Sequence, residues 1–324
     1  MAGSRSVVMA ALVANGAIAI LKFVGFLLTG SPSMLSETYH SVSDTGNQVF
    51  LLIGIRYGAR QADSRHPFGY GKAQFFYSFL VSVLLFGIAG WESAKHGYAE
   101  IRAALAGNAH AGPGTGTIEF LGFSYTPSIP VEPIVVNYVV LLSAIAFETW
   151  ALLKARAEMR RQMEAHGWSS YREAFRKTSD VTTLTALTED TIALAGAGLA
   201  LFGVFLTRQT GNPVFDATAA LLIGLMLMGF AVALAWENKR LLLGESLSAA
   251  RLATVRQHLT DHDAVRGIAD LRSVYFGPSR ILVTADVEFD PTLEADELEA
   301  VIDEIVTALK AAEADVGRVY IEPA

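Results

Sequence analysis

Long apolar segments constrain the fold of this chain more than any other feature of its sequence. Six of them lie at about 7–29, 33–57, 73–97, 131–154, 181–207 and 214–237. A helix needs about 20 mostly apolar residues to cross the hydrocarbon core of a bilayer, and each segment reaches that length. Because lipid offers no hydrogen-bond partners to the backbone, such segments must be helical. The sequence therefore predicts an α-helical membrane protein with six transmembrane helices, within a transmembrane domain at 1–246.

The composition agrees with a membrane location. Charged residues make up 18% of the 324 residues, whereas about a quarter is usual in a soluble domain. The chain has no cysteine, which excludes disulfide frameworks and thiolate metal sites. A formal net charge of −7 argues against a general nucleic-acid-binding protein. We therefore expect a lipid bilayer, and no nucleic acid, among its partners.

Basic residues predict how the spans are oriented. They concentrate between spans two and three, between spans four and five, and after span six, whereas the other side carries Arg102 and Arg208. Connections rich in Lys and Arg stay in the cytoplasm. We therefore expect both termini in the cytoplasm and the protein in the cell inner (cytoplasmic) membrane. The Gly-rich connection at 98–130 predicts an irregular loop on the opposite side.

The segment 247–324 has the character of a soluble domain. Two stretches have helical periodicity and three have strand patterns: 250–262 and 293–312, then 268–276, 280–289 and 317–322. The order αββαβ predicts a small cytoplasmic α+β domain of ferredoxin-like type. A core of this size is marginally stable alone, so we expect the domain to serve dimerisation.

Ionisable side chains lie inside the predicted spans, where each costs roughly 2.5–3.5 kcal/mol and commonly marks a site. At about 1.5 Å per residue, His40 lies about 10 Å and Asp44 about 16 Å into the bilayer. Span five enters from the other side and brings Glu189 and Asp190 to about 14–15 Å. Carboxylates at one depth repel each other unless a cation lies between them. One imidazole with two or three carboxylates suits Zn²⁺, Fe²⁺ or Mn²⁺.

Other ionisable residues in the spans allow more than one interpretation. Glu148 and Lys22 could each form an interhelical hydrogen bond. Glu37 lies nearer the outer surface, where a charge favourable to the helix dipole competes with ligation, so it is a weaker metal candidate. Glu189 points about 100° away from Asp190 and is either a ligand or the partner of a cation such as Lys22.

Two motifs stand out: SPSMLSETYHSVSDTGNQ, which contains His40 and Asp44, and RHPFGYGK, which follows span two. Together with the αββαβ segment after the sixth span, they resemble the cation diffusion facilitator family of divalent metal transporters. The resemblance covers nearly the whole chain and is strongest to bacterial relatives of mitochondrial zinc transporter nine. It implies a homodimer that exports Zn²⁺ in exchange for protons and has no bound cofactor. Mn²⁺, Fe²⁺, Co²⁺ or Cd²⁺ are the other expected substrates.

The resemblance also implies a set of metal ligands. The family's transport site takes two residues four apart on span two and two more on span five. These positions correspond here to His40 and Asp44, and to Ala186 and Asp190. Ala186 stands where the family has His and cannot ligate, so Glu189 is the candidate replacement. One nitrogen and three oxygens form a harder ligand set, which widens the expected metals toward Mn²⁺ and Fe²⁺.

Further metal sites of the family are incomplete in this sequence. Its loop site uses one Asp and two His; Asp63 and His66 match, but Tyr70 replaces the second His. Asp63 and His66 are therefore weaker metal candidates, and we expect mainly a structured cytoplasmic loop. In the C-terminal segment, Ala269 and Glu322 stand where other members have His, so a binuclear site is not expected there.

Two other classes of function remain open from the sequence. The first is a membrane metal-binding or scaffold protein that keeps the fold without transport, which the missing span-five His favours. The second is a metal-dependent membrane enzyme, but the sequence has no H-E-x-x-H or G-x-S-x-G motif. We therefore expect a secondary active transporter, a cation/proton antiporter, and no enzyme.

Overall fold

The computed structural model describes residues 2–107, 118–120, 123–125, 132–166, 168–171, 174, 181–278, 280–313 and 315–324. Its helices are Ala2–Thr29 (α1), Pro32–Gly58 (α2), Ala73–Leu84 (α3), Trp91–Leu105 (α4), Pro133–His166 (α5), Val181–Thr210 (α6), Val214–Leu243 (α7), Ala249–Thr260 (α8) and Ala295–Ala312 (α9). A π-helical segment, Leu85–Gly90, joins α3 to α4. The strands are Ile118–Phe120 (β1), Phe123–Tyr125 (β2), Val265–Gly277 (β3), Arg280–Phe289 (β4) and Val316–Pro323 (β5).

Four helices are long and apolar enough to cross a membrane, judged by length and composition: Ala73–Leu105, Ile134–Glu164, Leu187–Thr210 and Val214–Leu243. The first of these combines α3, the π-helical segment and α4. Among the described side chains, the apolar part of α1 is the shorter segment Asn15–Thr29. A helix nevertheless forms at each of the six predicted segments, and α5 continues to His166, beyond its predicted end.

The chain divides into two compact units. The first comprises Met1–Gln48 and Val81–Val232, and the second comprises Val49–Leu80 and Ala233–Ala324. The first unit contains the beginning of α2 together with α6, the two helices that carry the predicted ligands. The second unit contains the loop between α2 and α3 and the C-terminal sheet.

Apolar side chains from several helices form the core of the first unit; the largest that are fully buried are Phe26, Met34, Leu141, Val204, Ile223 and Leu227. Small residues bring α4 and α7 into close contact. A Cβ added at Gly224 would lie 2.8 Å from both the Cα of Ala94 and the carbonyl oxygen of Gly90. Glycine therefore permits a separation of these two helices that a larger residue would prevent.

A three-stranded sheet forms the C-terminal part of the second unit. β4 is central, pairing antiparallel with β3 and parallel with β5. Alternate β4 residues are buried: Ile281, Val283, Ala285 and Val287. Phe289, the next residue on this face, is partly buried. Val255 and Leu259 of α8 and Ile305 and Leu309 of α9 share one core with these residues. The predicted αββαβ order is observed.

The loop between α2 and α3 packs against the β3–β4 turn within the same unit. The rings of Phe68 and Phe276 stack with their centroids 4.8 Å apart. A Cβ added at Gly71 would collide with the carbonyl of Phe276. Lys72 donates a hydrogen bond of 3.4 Å to the carbonyl of Leu242. The loop is therefore built into the second unit through both side chains and backbone.

The connection between α4 and α5 differs from its prediction. β1 and β2 form a short antiparallel pair in which Ile118 lies opposite Tyr125. The prediction of an irregular loop is wrong for these strands. Apolar and polar residues alternate in IEF and FSY, which favours extended pairing over coil. The Gly-rich part at 108–117 lies outside the described residues.

Leu309 tests whether the shared core stabilises the C-terminal domain. We expect Leu309→Ala to lower the free energy of unfolding of this domain by about 2–5 kcal/mol, because Leu309 is fully buried and its truncation leaves a cavity. Thr307 is exposed on the same helix, and Thr307→Ala should change the free energy of unfolding by less than about 0.5 kcal/mol. Urea titration followed by circular dichroism measures both. Equal effects would contradict the assigned core.

Candidate functional site

One face of α2 carries a row of polar side chains, His40, Asp44 and Asn47. Residues three and four apart on a helix lie above one another, which explains the alignment. His40 is 3% exposed, and its Nε2 lies 3.4 Å from Oδ2 of Asp44. His40 Nδ1 is buried and has no hydrogen-bond partner among the described residues. The pair therefore offers imidazole nitrogen and carboxylate oxygen, both suitable metal ligands.

α6 supplies Glu189 and Asp190 opposite this row. Asn47 Nδ2 donates a hydrogen bond of 3.0 Å to Oε1 of Glu189, which links α2 to α6. Both α6 carboxylates interact electrostatically with Asp44. The two helices that the sequence identified as ligand carriers therefore face each other at this level.

Among the predicted ligands, His40 and Asp44 form the contact that the structure records. His40 lies beside Asp44, and Glu189 is bonded to Asn47. In the part of the chain that the structure describes, no three His, Asp or Glu side chains come close enough to hold one ion. The charges of the three carboxylates repel one another, and a cation between them would replace that repulsion with attraction. Ala186 belongs to α6, and its side chain lies outside the described residues.

A buried ion pair lies one turn from His40. Lys22 Nζ of α1 is 2.7 Å from Glu37 Oε2 of α2, and the two side chains are 1% and 0% exposed. This pair was not predicted from the sequence, which suggested Lys22 as a possible partner of Glu189. In the structure, Glu189 accepts a hydrogen bond from Asn47 instead. Removing one member of such a pair leaves the other charge buried without a partner and lowers the stability of the fold by about 3–5 kcal/mol. The pair therefore binds α1 firmly to α2.

The second carboxylate oxygen of Glu37 approaches α6. This atom, Oε1, is buried without a hydrogen-bond partner among the described residues. A Cβ added at Gly196 would lie 2.5 Å from it. Gly196 therefore provides the space for Glu37, and the carboxylate fixes the separation of α2 and α6. Both Asn47 and Gly196 were missed from the sequence, although the spacing of Asn47 from His40 and Asp44 was a usable signal.

Asp63 organises the loop between α2 and α3. Its Oδ1 accepts hydrogen bonds from the backbone N–H groups of Arg65 (2.9 Å) and His66 (2.7 Å), and its Oδ2 accepts one from the Tyr70 hydroxyl (2.7 Å). These bonds, that of Tyr70 first, hold the pKa of Asp63 below its usual range. His66 Nδ1 is 3.6 Å from Asp63, and the rings of His66 and Tyr70 are 4.1 Å apart. The prediction of a structured loop is confirmed.

Gly196 provides a test of the spacing between α2 and α6. We expect Gly196→Ala to destabilise the helical unit by about 1–3 kcal/mol, because the new methyl group occupies the space of Glu37 Oε1. Gly198 is the matched control, since no described atom lies within 4 Å of a Cβ added there. Thermal unfolding in detergent compares the two variants. Equal melting temperatures would contradict the tight contact.

Tyr70 tests how nearly complete the loop site is. We expect Tyr70→His to create Co²⁺ and Zn²⁺ binding in the loop, because a second imidazole would join Asp63 and His66. Binding is measured by the visible absorption of bound Co²⁺. The protein also carries His40→Ala and Asp44→Ala, which remove two ligands of the candidate transport site. Adding Asp63→Ala should abolish the signal. Persistence of the signal in that variant would show that the ion binds elsewhere.

Comparison with known proteins gives the broader context. The model of the cation efflux transmembrane domain matches residues 8–243. The human protein named "Proton-coupled zinc antiporter SLC30A9, mitochondrial" is 30% identical over 288 residues, covering 89% of this chain and 46% of the human protein. Metal tolerance protein C4 of Arabidopsis thaliana is 25% identical over 287 residues, covering 89% and 57% of the two chains. Cation-efflux pump FieF of Shigella boydii is 24% identical over 306 residues, covering 94% and 87%.

The family match runs from within α1 to the end of α7 and includes the polar residues of α2 and α6. The chain spans about half the length of the SLC30A9 proteins that it matches. With its long apolar helices, it is a multi-pass membrane protein. The resemblance found in its motifs is confirmed: this chain belongs to the cation efflux, or cation diffusion facilitator, family of transporters.

Proposed function

We propose that this protein exports a divalent transition-metal cation, Zn²⁺ first, in exchange for protons. The observation that carries the proposal is the row on α2 facing the carboxylates of α6, with His40 beside Asp44 and Glu189 held from α2. These residues lie within the match to the cation efflux domain. A human relative is named a proton-coupled zinc antiporter, which supports both the metal and the coupling.

The proposal includes a membrane topology. α1 and α2 join the four clearly apolar helices to make six transmembrane helices, in a domain at 1–246. The domain at 247–324 lies in the cytoplasm and serves dimerisation through a ferredoxin-like fold. Basic residues concentrated in alternate connections support cytoplasmic termini and insertion in the cytoplasmic membrane.

In the proposed site, the cargo ion binds His40 and Asp44 of α2 together with Glu189 and Asp190 of α6. Zn²⁺ accepts nitrogen and oxygen ligands in a four-coordinate arrangement. Its two positive charges replace the mutual repulsion of the carboxylates with attraction to a common centre. Mn²⁺ and Fe²⁺ are the alternative substrates, because three oxygens among four ligands suit harder ions.

Protons compete with the cargo for these ligands. Metal binding needs a neutral imidazole and ionised carboxylates, so protonation and ligation exclude each other. In the inward-open state the ion binds from the cytoplasm and protons leave the site. After the helices rock to the outward-open state, protons from outside displace the ion. The proton gradient thereby drives export.

A non-transporting metal-binding protein of the same fold is the second candidate. It is favoured by Ala186 at a ligand position, and because no three His, Asp or Glu side chains come together among the described residues. The two candidates differ in flux: the second predicts metal binding that a pH gradient does not convert into transport.

Metal uptake into proteoliposomes with an imposed pH gradient tests the proposal. We expect Zn²⁺ flux that depends on the gradient and is abolished by Asp44→Ala and by Asp190→Ala, which remove ligands. Thr191→Val is the matched control on α6, because the Thr191 hydroxyl bonds only to its own helix, at 2.6 Å from the Leu187 carbonyl, within the described residues. Its flux should equal that of the unmodified protein.

The assay also separates the two candidates. No flux of Zn²⁺, Mn²⁺, Fe²⁺ or Cd²⁺ by correctly inserted protein would contradict the transporter. Stoichiometric metal binding without flux would then establish the second candidate.

A further inference from the structure

Asn47 contacts a predicted ligand and has no role in the mechanism described above. It lies on α2 one turn from Asp44 and two turns from His40, on the same face. Its Nδ2 donates a hydrogen bond of 3.0 Å to Glu189 Oε1 across the gap between α2 and α6. This bond orients the carboxylate that would replace the family's missing histidine.

Glu189 needs such a restraint more than a histidine would. A Glu side chain has more rotatable bonds than His, so more conformational freedom is lost when it is held in place. The charges of Asp44 and Asp190 also repel Glu189. A hydrogen bond to an ionised acceptor is stronger than one between neutral groups. The bond from Asn47 therefore opposes both the conformational freedom of Glu189 and its repulsion by the neighbouring carboxylates. Asn47 therefore keeps Glu189 turned toward α2.

The bond also limits how Glu189 can bind an ion. With Oε1 directed to the amide of Asn47, Oε2 is the oxygen left for the cargo. A carboxylate that binds through one oxygen contributes one ligand, whereas a free carboxylate can contribute two. Fewer ligand atoms favour the four-coordinate geometry of Zn²⁺ over the six-coordinate geometry that oxygen ligands give Mn²⁺.

We infer that Asn47 is a positioning and specificity-determining residue: it holds Glu189 as a one-oxygen ligand and thereby favours Zn²⁺ over Mn²⁺. The inference rests on the proposed function, because it assigns Asn47 a part in the cargo site. It acts through Glu189 and makes no contact with the ion itself.

Metal affinities of the full-length protein in nanodiscs test this inference. The Kd values for Zn²⁺ and Mn²⁺ are measured for the unmodified protein and for Asn47→Ala, Glu189→Ala and the double variant. We expect Asn47→Ala to weaken Zn²⁺ binding about 10–100-fold, as is usual when a group that orients a metal ligand is removed. Mn²⁺ binding should weaken less, so the preference for Zn²⁺ falls.

The double variant separates positioning from a general structural role. If Asn47 acts through Glu189, Asn47→Ala should have no further effect once Glu189→Ala has removed the acceptor. Independent losses that add in the double variant would overturn the inference. Thr191→Val, whose hydroxyl bonds to the Leu187 carbonyl of the same helix, should leave the Zn²⁺/Mn²⁺ preference unchanged.

A measurement on the unmodified protein covers the case in which the Asn47 variants do not fold. X-ray absorption of bound Zn²⁺ should show four nitrogen or oxygen ligands at about 2.0–2.2 Å. Five or six ligands would overturn the inference. If the unmodified protein transports metal and Asn47→Ala keeps the same metal preference, this inference is overturned and the proposed function stands. Absence of both binding and transport in the unmodified protein overturns the proposed function and this inference with it.

Discussion

A charge buried among membrane helices must be neutralised nearby, because the surrounding apolar side chains and lipid cannot solvate it. The Lys22–Glu37 pair meets this requirement permanently, with both members fully buried and 2.7 Å apart. It joins α1 to α2, and the free oxygen of Glu37 reaches α6 at Gly196. The spacing of the helices around the candidate site therefore depends on this one ion pair.

The carboxylates of Asp44, Glu189 and Asp190 differ from Glu37. Among the described residues, no Lys or Arg forms a salt bridge with them; Asp44 lies beside the imidazole of His40, and Lys22, bound to Glu37, attracts it from a greater distance. Asn47 stabilises Glu189 with a hydrogen bond but supplies no charge. A permanent partner such as a lysine would compete with any cargo. Charges that are left for an exchangeable ion or for protons are what cation/proton exchange requires, and this is the physical basis of the proposed function.

The loop after α2 is held in shape by one carboxylate. Asp63 satisfies its carboxylate with two backbone N–H groups and the hydroxyl of Tyr70. A hydroxyl donor stabilises the ionised carboxylate and holds the loop in shape without any metal. The loop also packs on the β3–β4 turn through Phe68 and Phe276. Its contribution is therefore a rigid connection within the second unit.

Sequence alone determined the helical membrane class, the αββαβ order and the pairing of His40 with Asp44. Each of these depends on local periodicity: apolar length, alternation, or a spacing of four residues on one helix. It also predicted that Glu189 and Asp190 lie on the fifth predicted span, which is where α6 carries them. It failed for the strands β1 and β2, where a Gly-rich context concealed a short alternation.

Only the tertiary structure decided which charged and polar side chains contact each other. Lys22 and Glu37 lie on different helices, as do Asn47 and Glu189, and their contact depends on how each helix is rotated and how closely it packs. The distance between packed helices depends in turn on small residues such as Gly196. Gly196 leaves room for the Glu37 carboxylate, and this becomes visible only when both helices are placed. Residue spacing along one helix carries no information about rotation relative to another. The sequence therefore determined the polar residues of each helix, and the packing of the helices decided their partners.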